Sequence, residues 1–256
     1  MTRRTRPALH SWTSCTTAPT HPAFWPTRSR RRSTAPRCLK WKGADMANPN
    51  RQFQVADAAA QQALVRAQPL ATLVIAQEGS LHVNHIPLYL DPARGPQGTL
   101  IGHVARANAL WPLLPQQAVA VFHGPQAYVS PSWYPSKALD GKQVPTWNYA
   151  TVHAHGALSA FDDPERLRAI LHTLSEQHEA HRADPWRIDD APPDYIDKLL
   201  RAIVGIELAV ERWEGIWKVS QNRTDTDRAG VVQGLMAEGT SAAEDMAALV
   251  LDRLIG

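Results

Sequence analysis

The sequence predicts a mainly β protein with helices, an antiparallel sheet closed into a barrel (β-barrel/α+β). Three observations predict it. Strand-like runs recur at short intervals, Gly/Pro turn signals separate them, and one strongly periodic helix follows them instead of alternating with them. The 256 residues show no internal repeat. The roughly 210 that read as folded suffice for one substantial core.

Along the chain, Asp57 caps a short helix with Ala63, Leu64 and Ala67 as its apolar face, and Gln68-Pro69 ends it, because the residue before a proline is biased away from helix. LATLVIA at 70–76, SLHVNHIPLYL at 80–90, GTLIGHVA at 98–105, AVAVFHG at 118–124 and AYVSPSW at 127–133 are predicted strands. Turns at Glu78-Gly79, Asp91-Pro92, Gly95-Pro96 and Gly124-Pro125 punctuate them. Residues 106–114 are predicted as a short helix inserted between strands. A sixth, long strand covers 146–161 and ends at Asp162-Asp163-Pro164.

Asp163 as N-cap, Pro164 at the first helical position and Glu165 next open a helix whose Leu167, Ile170, Leu171 and Leu174 fall on one face. A Pro-rich connector, Ala191-Pro192-Pro193, leads to a second helix near 194–201. Residues 203–212 and 216–219 predict a last hairpin around Glu214-Gly215. From Ser241, capping-box spacing to Glu244 and apolar Met246, Leu249, Val250 and Leu254 predict a terminal helix.

The formal net charge of +3 conceals an uneven distribution. Residues 1–45 hold ten Lys/Arg and one acid, which leaves 17 basic and 23 acidic residues in 46–256, a net of −6. An acidic body argues against strong nucleic-acid binding, which needs clustered cations. The leader, rich in Arg, Ser, Thr and Pro and poor in branched aliphatics, is expected to be disordered and to precede a true start at Met46. One folded domain is expected over 46–256. Both cysteines, Cys15 and Cys38, lie in the leader, no run approaches the roughly 18 apolar residues of a membrane span, and the expected location is cytoplasmic.

Four segments place polar residues inside structural stretches: GHVARAN at 102–108, SPSWYPSK at 130–137, VPTWNY at 144–149 and WKVSQNR at 217–223. Arg106, Lys137, Lys218 and Arg223 offer cations, and Ser130, Ser132, Ser136 and Thr146 offer hydroxyls. A flat, phosphorylated cofactor needs such donors beside aromatic faces. His153 and His155, two apart on a predicted strand, share one face, while His85 and His103 end two other strands. No carboxylate or thiolate lies at a spacing that completes a site with them, which weighs against a mononuclear metal.

Taken with PLATLV, NHIPL, VPTWNYATVHAHG, PWRIDDAP and AIVGIEL, these segments closely resemble the PaiB family of FMN-binding transcriptional regulators, collinearly from about Phe53 to Gly234. The resemblance implies an FMN-binding split β-barrel, of the flavin-reductase or pyridoxamine-phosphate-oxidase type, assembled as a homodimer. It implies cofactor contacts from His103, Arg106, Asn108, Ser130, Trp133, Tyr134, Lys137, Thr146, Trp147, Asn148, Tyr149, Lys218, Gln221 and Asn222. Arg106 with Lys137 or Lys218 is expected on the phosphate, and Trp133, Trp147 and Tyr149 around the ring. The implied function is a negative transcriptional regulator, with DNA contact weakly supported because no helix-turn-helix is evident. The alternative is a haem- or flavin-dependent oxidoreductase or lyase, similar to piperazate synthases, in which haem b would take His103 as its axial ligand. Family members tend to begin Tyr-x-Pro-x-x-Phe; here Ala47-Asn48-Pro49 precedes Phe53, a departure that leaves the leader outside the resemblance.

Overall fold

The computed structural model of the protein describes residues 50–255. The expected leader at 1–45 and the start at Met46 lie outside the described residues. Strands β1 (Gln54–Val55), β2 (Leu70–Gln77), β3 (Ser80–Pro87), β4 (Tyr89–Asp91), β5 (Thr99–Ala105), β6 (Gln116–Val129), β7 (Thr146–Phe161) and β8 (Ile203–Lys218) make one antiparallel sheet. Its order is β3-β2-β6-β7-β8-β5-β4, with β1 added to β8. The two end strands, β3 and β4, are separated in the chain by Leu88 alone, so the sheet has to curl until its ends meet. The hydrogen-bonded ladder remains open there among the described residues, which makes the barrel a split one. A Cβ at Gly102 of β5 would stand 2.6 Å from the Pro87 carbonyl oxygen, so glycine lets the ends close.

Inward positions alternate along each strand: Leu73 and Ile75, Ala120 and Phe122, Val152 and Ala154, Ile206 and Leu208 are buried. A one-residue slip would turn each set to solvent, at about 1.5–3 kcal/mol for every large side chain exposed, so the register is firmly specified. Helix α1 (Ala58–Ala67) adds Leu64 and Val65 to this core, capped by Asp57, which accepts from the Ala59 N–H at 2.9 Å. Its buried face is Gln61, Leu64 and Val65 in place of the expected Ala63, Leu64 and Ala67.

The remaining helices are α2 (Lys137–Asp140), α3 (Pro164–Glu179), α4 (Pro193–Leu200), α5 (Asp225–Glu238) and α6 (Ser241–Ile255). As expected, Asp163 caps α3, accepting from the Arg166 N–H at 2.8 Å. Ile170 and Leu174 then pack with Ile101 of β5, and Leu167 with Ile188, Ile196 and Leu200. The terminal helix also forms, but Thr240 caps it in place of the expected Ser241: Thr240 Oγ1 accepts from the Ala243 N–H at 3.3 Å.

Three segments differ from expectation. Residues 106–114 hold only a 3-10 turn at Trp111–Leu113, because Asn108 Oδ1 accepts from the Leu110 N–H at 2.8 Å and Pro112 and Pro115 withhold donors. The predicted strands at 118–124 and 127–133 are one strand to Val129. Gly124-Pro125 makes a register shift between His123 and Gln126, not a turn, and Pro131–Trp133 forms a 3-10 turn beyond it. Likewise β8 runs unbroken through Glu214-Gly215. Gly215 is needed because a Cβ there would lie 2.9 Å from the Val55 carbonyl oxygen, where β1 pairs with β8. The irregularity in β8 lies earlier, where His155 faces Arg212 but Gly156 faces Val210, leaving Glu211 as an extra residue.

Candidate functional site

The four chemistry-bearing segments fall at two ends of β8, which at about 3.3 Å per residue is roughly 50 Å of chain. GHVARAN lies at its start. Arg106 Nη1 and Nη2 meet both carboxylate oxygens of Asp162 at 2.8 and 2.5 Å, Nε donates to the Arg201 carbonyl at 2.8 Å, and Nη2 also donates to the Ile203 carbonyl at 2.9 Å. That fork holds the Asp162 carboxyl below the usual carboxylate range, chiefly through the hydrogen bond. Asn108 Nδ2 donates to Asn84 Oδ1 at 3.0 Å, tying this turn to β3. His103 is half-buried, its Nδ1 has no hydrogen-bond partner among the described residues, and burial lowers its pKa.

The other three segments converge at the far end. Lys218 Nζ donates to Thr146 Oγ1 and to the Trp147 carbonyl, the latter at 2.7 Å. Burial, then the positive charge of Arg223, pushes the Lys218 pKa down. Arg223 lies over the Tyr134 ring at 4.7 Å and donates to Gln143 Oε1 at 2.9 Å. Neither cation has a carboxylate partner among the described residues. Two neighbouring cations set against neutral acceptors have the chemistry to attract an anion.

A turn after β8 creates this pairing. Ser220 is buried in the left-handed region (φ 63°), an uncommon conformation for a non-glycine residue. Buried Asn148 fixes it, donating to Ser220 Oγ at 2.9 Å and accepting from it at 3.3 Å. The Arg223 N–H then closes on the Ser220 carbonyl at 2.9 Å, which returns the guanidinium toward Lys218. Gln221 spans the turn, accepting from the Val219 N–H at 2.7 Å and donating to the Trp217 and Gln52 carbonyls. Asn222 is exposed at its tip.

The SPSWYPSK segment supports that turn. Ser130 Oγ caps its own 3-10 turn by accepting from the Ser132 N–H at 3.2 Å, and Lys137 Nζ donates to Ser132 Oγ at 3.3 Å. Ser136 binds Asp227 of α5 through its N–H at 3.0 Å and its hydroxyl at 2.8 Å. Tyr134 is buried, which raises its hydroxyl pKa. Trp133 is a wedge against α5: a Cβ on Gly234 would lie 2.2 Å from the indole, and one on Gly230 would lie 2.1 Å from its carbonyl oxygen. Trp147 and Tyr149, by contrast, face out. Trp147 is 56% exposed and Tyr128 47%, and their rings meet edge to face at 6.2 Å.

Trp147, Tyr149, Ala150 and Thr151 of β7 line a cleft of about 290 Å³ with His123, Gly124 and Gln126 of β6. Tyr149 is the cross-strand neighbour of Lys218, so the cleft borders the cation pair. A larger cleft of about 410 Å³ lies between α3 and α4. Its Arg168 is paired with Asp197 at 2.7 Å, and Glu165 and Asp189 also line it, so it repels a phosphate. His103 lines neither cleft.

Sequence spacing gave no hint of a third group. Glu214, from β8, stands beside His153 and His155 of β7, within 3.6 and 3.4 Å of their ring nitrogens. The expectation that no carboxylate completes a site with these histidines is therefore corrected: strand register supplies it. His85 is elsewhere, its Nδ1 3.2 Å from Thr72 Oγ1.

Residues 48–212 match the family model described as "Putative FMN-binding domain". The chain is 32% identical over 204 residues to protease synthase and sporulation protein PAI 2 of Bacillus subtilis (strain 168), an alignment covering 79% of this chain and 95% of that protein. It is 33% identical over 229 residues to an uncharacterized protein of Emericella nidulans, covering 75% and 91%. Among solved structures, the FAD and heme binding protein from Mycobacterium smegmatis superposes with a TM-score of 0.49 at 16% identity, covering 65% of this chain and 73% of that one. The open-laddered barrel and the family match define a split-barrel protein of the flavin-binding class. Within that class, the chain belongs to the PaiB family of FMN-binding domains.

Proposed function

We propose that this chain binds FMN at the far end of β8 and acts as a cytoplasmic regulator whose state follows the flavin. The observation that carries it is the uncompensated cation pair Lys218 and Arg223, beside the Thr146 hydroxyl and next to a cleft bordered by exposed Trp147 and half-buried Tyr149. A phosphate monoester needs cations and hydroxyls, and a flat ring system needs π faces; the donor set present meets both needs. Lys218, Arg223 and Thr146 hold the phosphate, and Trp147, Tyr149 and Gln126 border the ring. Bound FMN supplies one- or two-electron redox chemistry. Asn148, Ser220 and Gln221 keep the turn rigid, and Trp133, Tyr134 and Ser136 anchor it to α5. Arg106 is assigned to the fold, because Asp162 and two carbonyls already take its donors. The haem alternative assigns the axial position to His103, and neither cleft supports it.

In this reading a second copy of the chain packs against the outer sheet face. On the outer sheet face, Leu81 is 72% and Val83 55% exposed, and Val83 lies in a cross-strand row with Val74 and Val119. An apolar row of this kind on an uncovered sheet face suits burial against its own symmetry mate. Contact with DNA is expected to be weak, given the net charge of −6 over 46–256.

Fluorescence titration of FMN into the flavin-free protein tests the reading. Saturation at one FMN per chain is expected, with affinity lowered roughly 10- to 150-fold in Lys218→Ala; equal binding by wild type and Lys218→Ala would overturn the site. Analytical ultracentrifugation of Val83→Glu tests the dimer, with a shift to monomer expected.

A further inference from the structure

We propose that His153, His155 and Glu214 bind one divalent first-row metal ion of the zinc class on the outer face of the barrel, with at least one coordination position left open. The inference is independent of FMN. It rests on three side chains from two strands whose ligand atoms all lie within 4.8 Å of one another. Glu214 Oε2 is 3.6 Å from His153 Nδ1 and 3.4 Å from His155 Nε2. Two ligands about 2.1 Å from a shared ion at tetrahedral angles stand roughly 3.4 Å apart, so these spacings leave room for the ion and little more. Two imidazoles and a carboxylate suit zinc and its first-row neighbours, and three protein ligands are the pattern of a site that keeps a place for water or substrate oxygen.

The strand geometry is built for this convergence. Before the irregularity in β8, even-numbered residues such as Ile206, Leu208 and Val210 point into the barrel. The extra residue, Glu211, reverses the alternation, so that Gly215 and Trp217 point inward while Arg212 and Glu214 point outward beside His155 and His153. Without the bulge Glu214 would face the apolar core. Gly156 permits it, since a Cβ there would lie 2.0 Å from the Ala209 carbonyl oxygen.

Glu214 is only 4% exposed, and its other oxygen, Oε1, takes the Arg212 guanidinium. The carboxylate is thus oriented by one oxygen and presented to the imidazoles by the other, the outer-partner arrangement that fixes metal ligands. Thr151, next along the same face from His153, lines the neighbouring cleft.

The test uses the full chain, stripped with a chelator and titrated with Zn²⁺ against a chromophoric competitor, then loaded with Co²⁺ for absorption spectroscopy. One tight Zn²⁺ per chain is expected, weakened about tenfold or more in His155→Ala and in Glu214→Gln, with the Co²⁺ ligand-field bands lost in both. His172→Ala, on the exposed face of α3, is expected to bind as wild type. No tight Zn²⁺ in the wild type, or tight Zn²⁺ kept by both variants, would overturn the proposal. Should Glu214→Gln fail to fold after losing its pairing with Arg212, His153→Ala and His155→Ala decide by the same readouts.

Discussion

At the start of β8, Arg106 meets a carboxylate and two carbonyls; at its end, Lys218 and Arg223 stand near each other and meet only neutral acceptors. Both ends look alike in the sequence, each a basic residue among polar neighbours. The difference is charge compensation. A cation whose charge is matched within the fold contributes to holding strands together, whereas a cation left unmatched beside another favours a negative guest.

Reversing a charge at the open end should have the largest effect. Lys218→Glu is expected to lower FMN affinity more than 100-fold, and Lys218→Ala or Arg223→Ala roughly 10- to 150-fold, corresponding to about 1.5–3 kcal/mol for a charge-assisted contact. Flavin fluorescence titration reads this directly. If Arg106→Ala lost as much affinity while keeping its melting temperature, the contrast between the ends would be wrong.

Next in size is the support beneath the open end. Gly234→Leu drives a side chain into the Trp133 ring and should cost about 1–3 kcal/mol of stability by overpacking, read from chemical denaturation. FMN affinity should fall with it, because the same loop anchors the cation turn.

At the compensated end, Arg106→Ala should lower the melting temperature by about 2–4 °C and change FMN affinity by less than about twofold. The two ends should also answer to opposite pH limbs. Since Arg106 lowers the Asp162 pKa, its contribution to stability is complete above the ordinary carboxylate value and is lost as pH falls through the lowered one. Wild type and Asp162→Asn should therefore converge in melting temperature in acid. Lys218 has the reverse sign: its folded-state pKa is depressed, so charging it opposes folding at pH below that value, and the penalty fades at higher pH. Its cation, and with it FMN affinity, should be lost at lower alkaline pH than an ordinary lysine would allow, and Lys218→Arg should flatten that loss.

The smallest change is expected from His103→Ala, which should leave FMN binding unaltered. Loss of a haem Soret band in that variant, with wild type showing one, would instead support the alternative cofactor.

Local signals made most of this legible. Helix α3 carries its cap, its proline and its apolar spacing within a dozen residues, and the strands carry their alternation. What the sequence hid were requirements arising from distant partners. Glu214-Gly215 reads as a turn, yet the glycine answers to Val55 of β1 paired beside it. Helix α5 escaped notice because Gly230 and Gly234, poor helix formers, are there to seat Trp133. Nothing in GHVARAN announces that Asp162 neutralises Arg106, and nothing near VHAHG announces that a bulge aims Glu214 at it. Composition picked out the segments, but only register and turns decided which of them meet.

The barrel's wiring also sets a timetable. Strand β5 gains its long partner only when 203–209, at the start of β8, have been made, and β1 waits longer still, for Gly215 and Ile216. At a synthesis rate of about 5–20 residues per second, β5 stands with an open edge for roughly 5–20 s after it leaves the ribosome. Throughout that interval its apolar Leu100, Ile101 and Val104 and its unpaired backbone are available to other chains. The growing protein is therefore most exposed to aggregation between the emergence of Ala105 and that of Ala209.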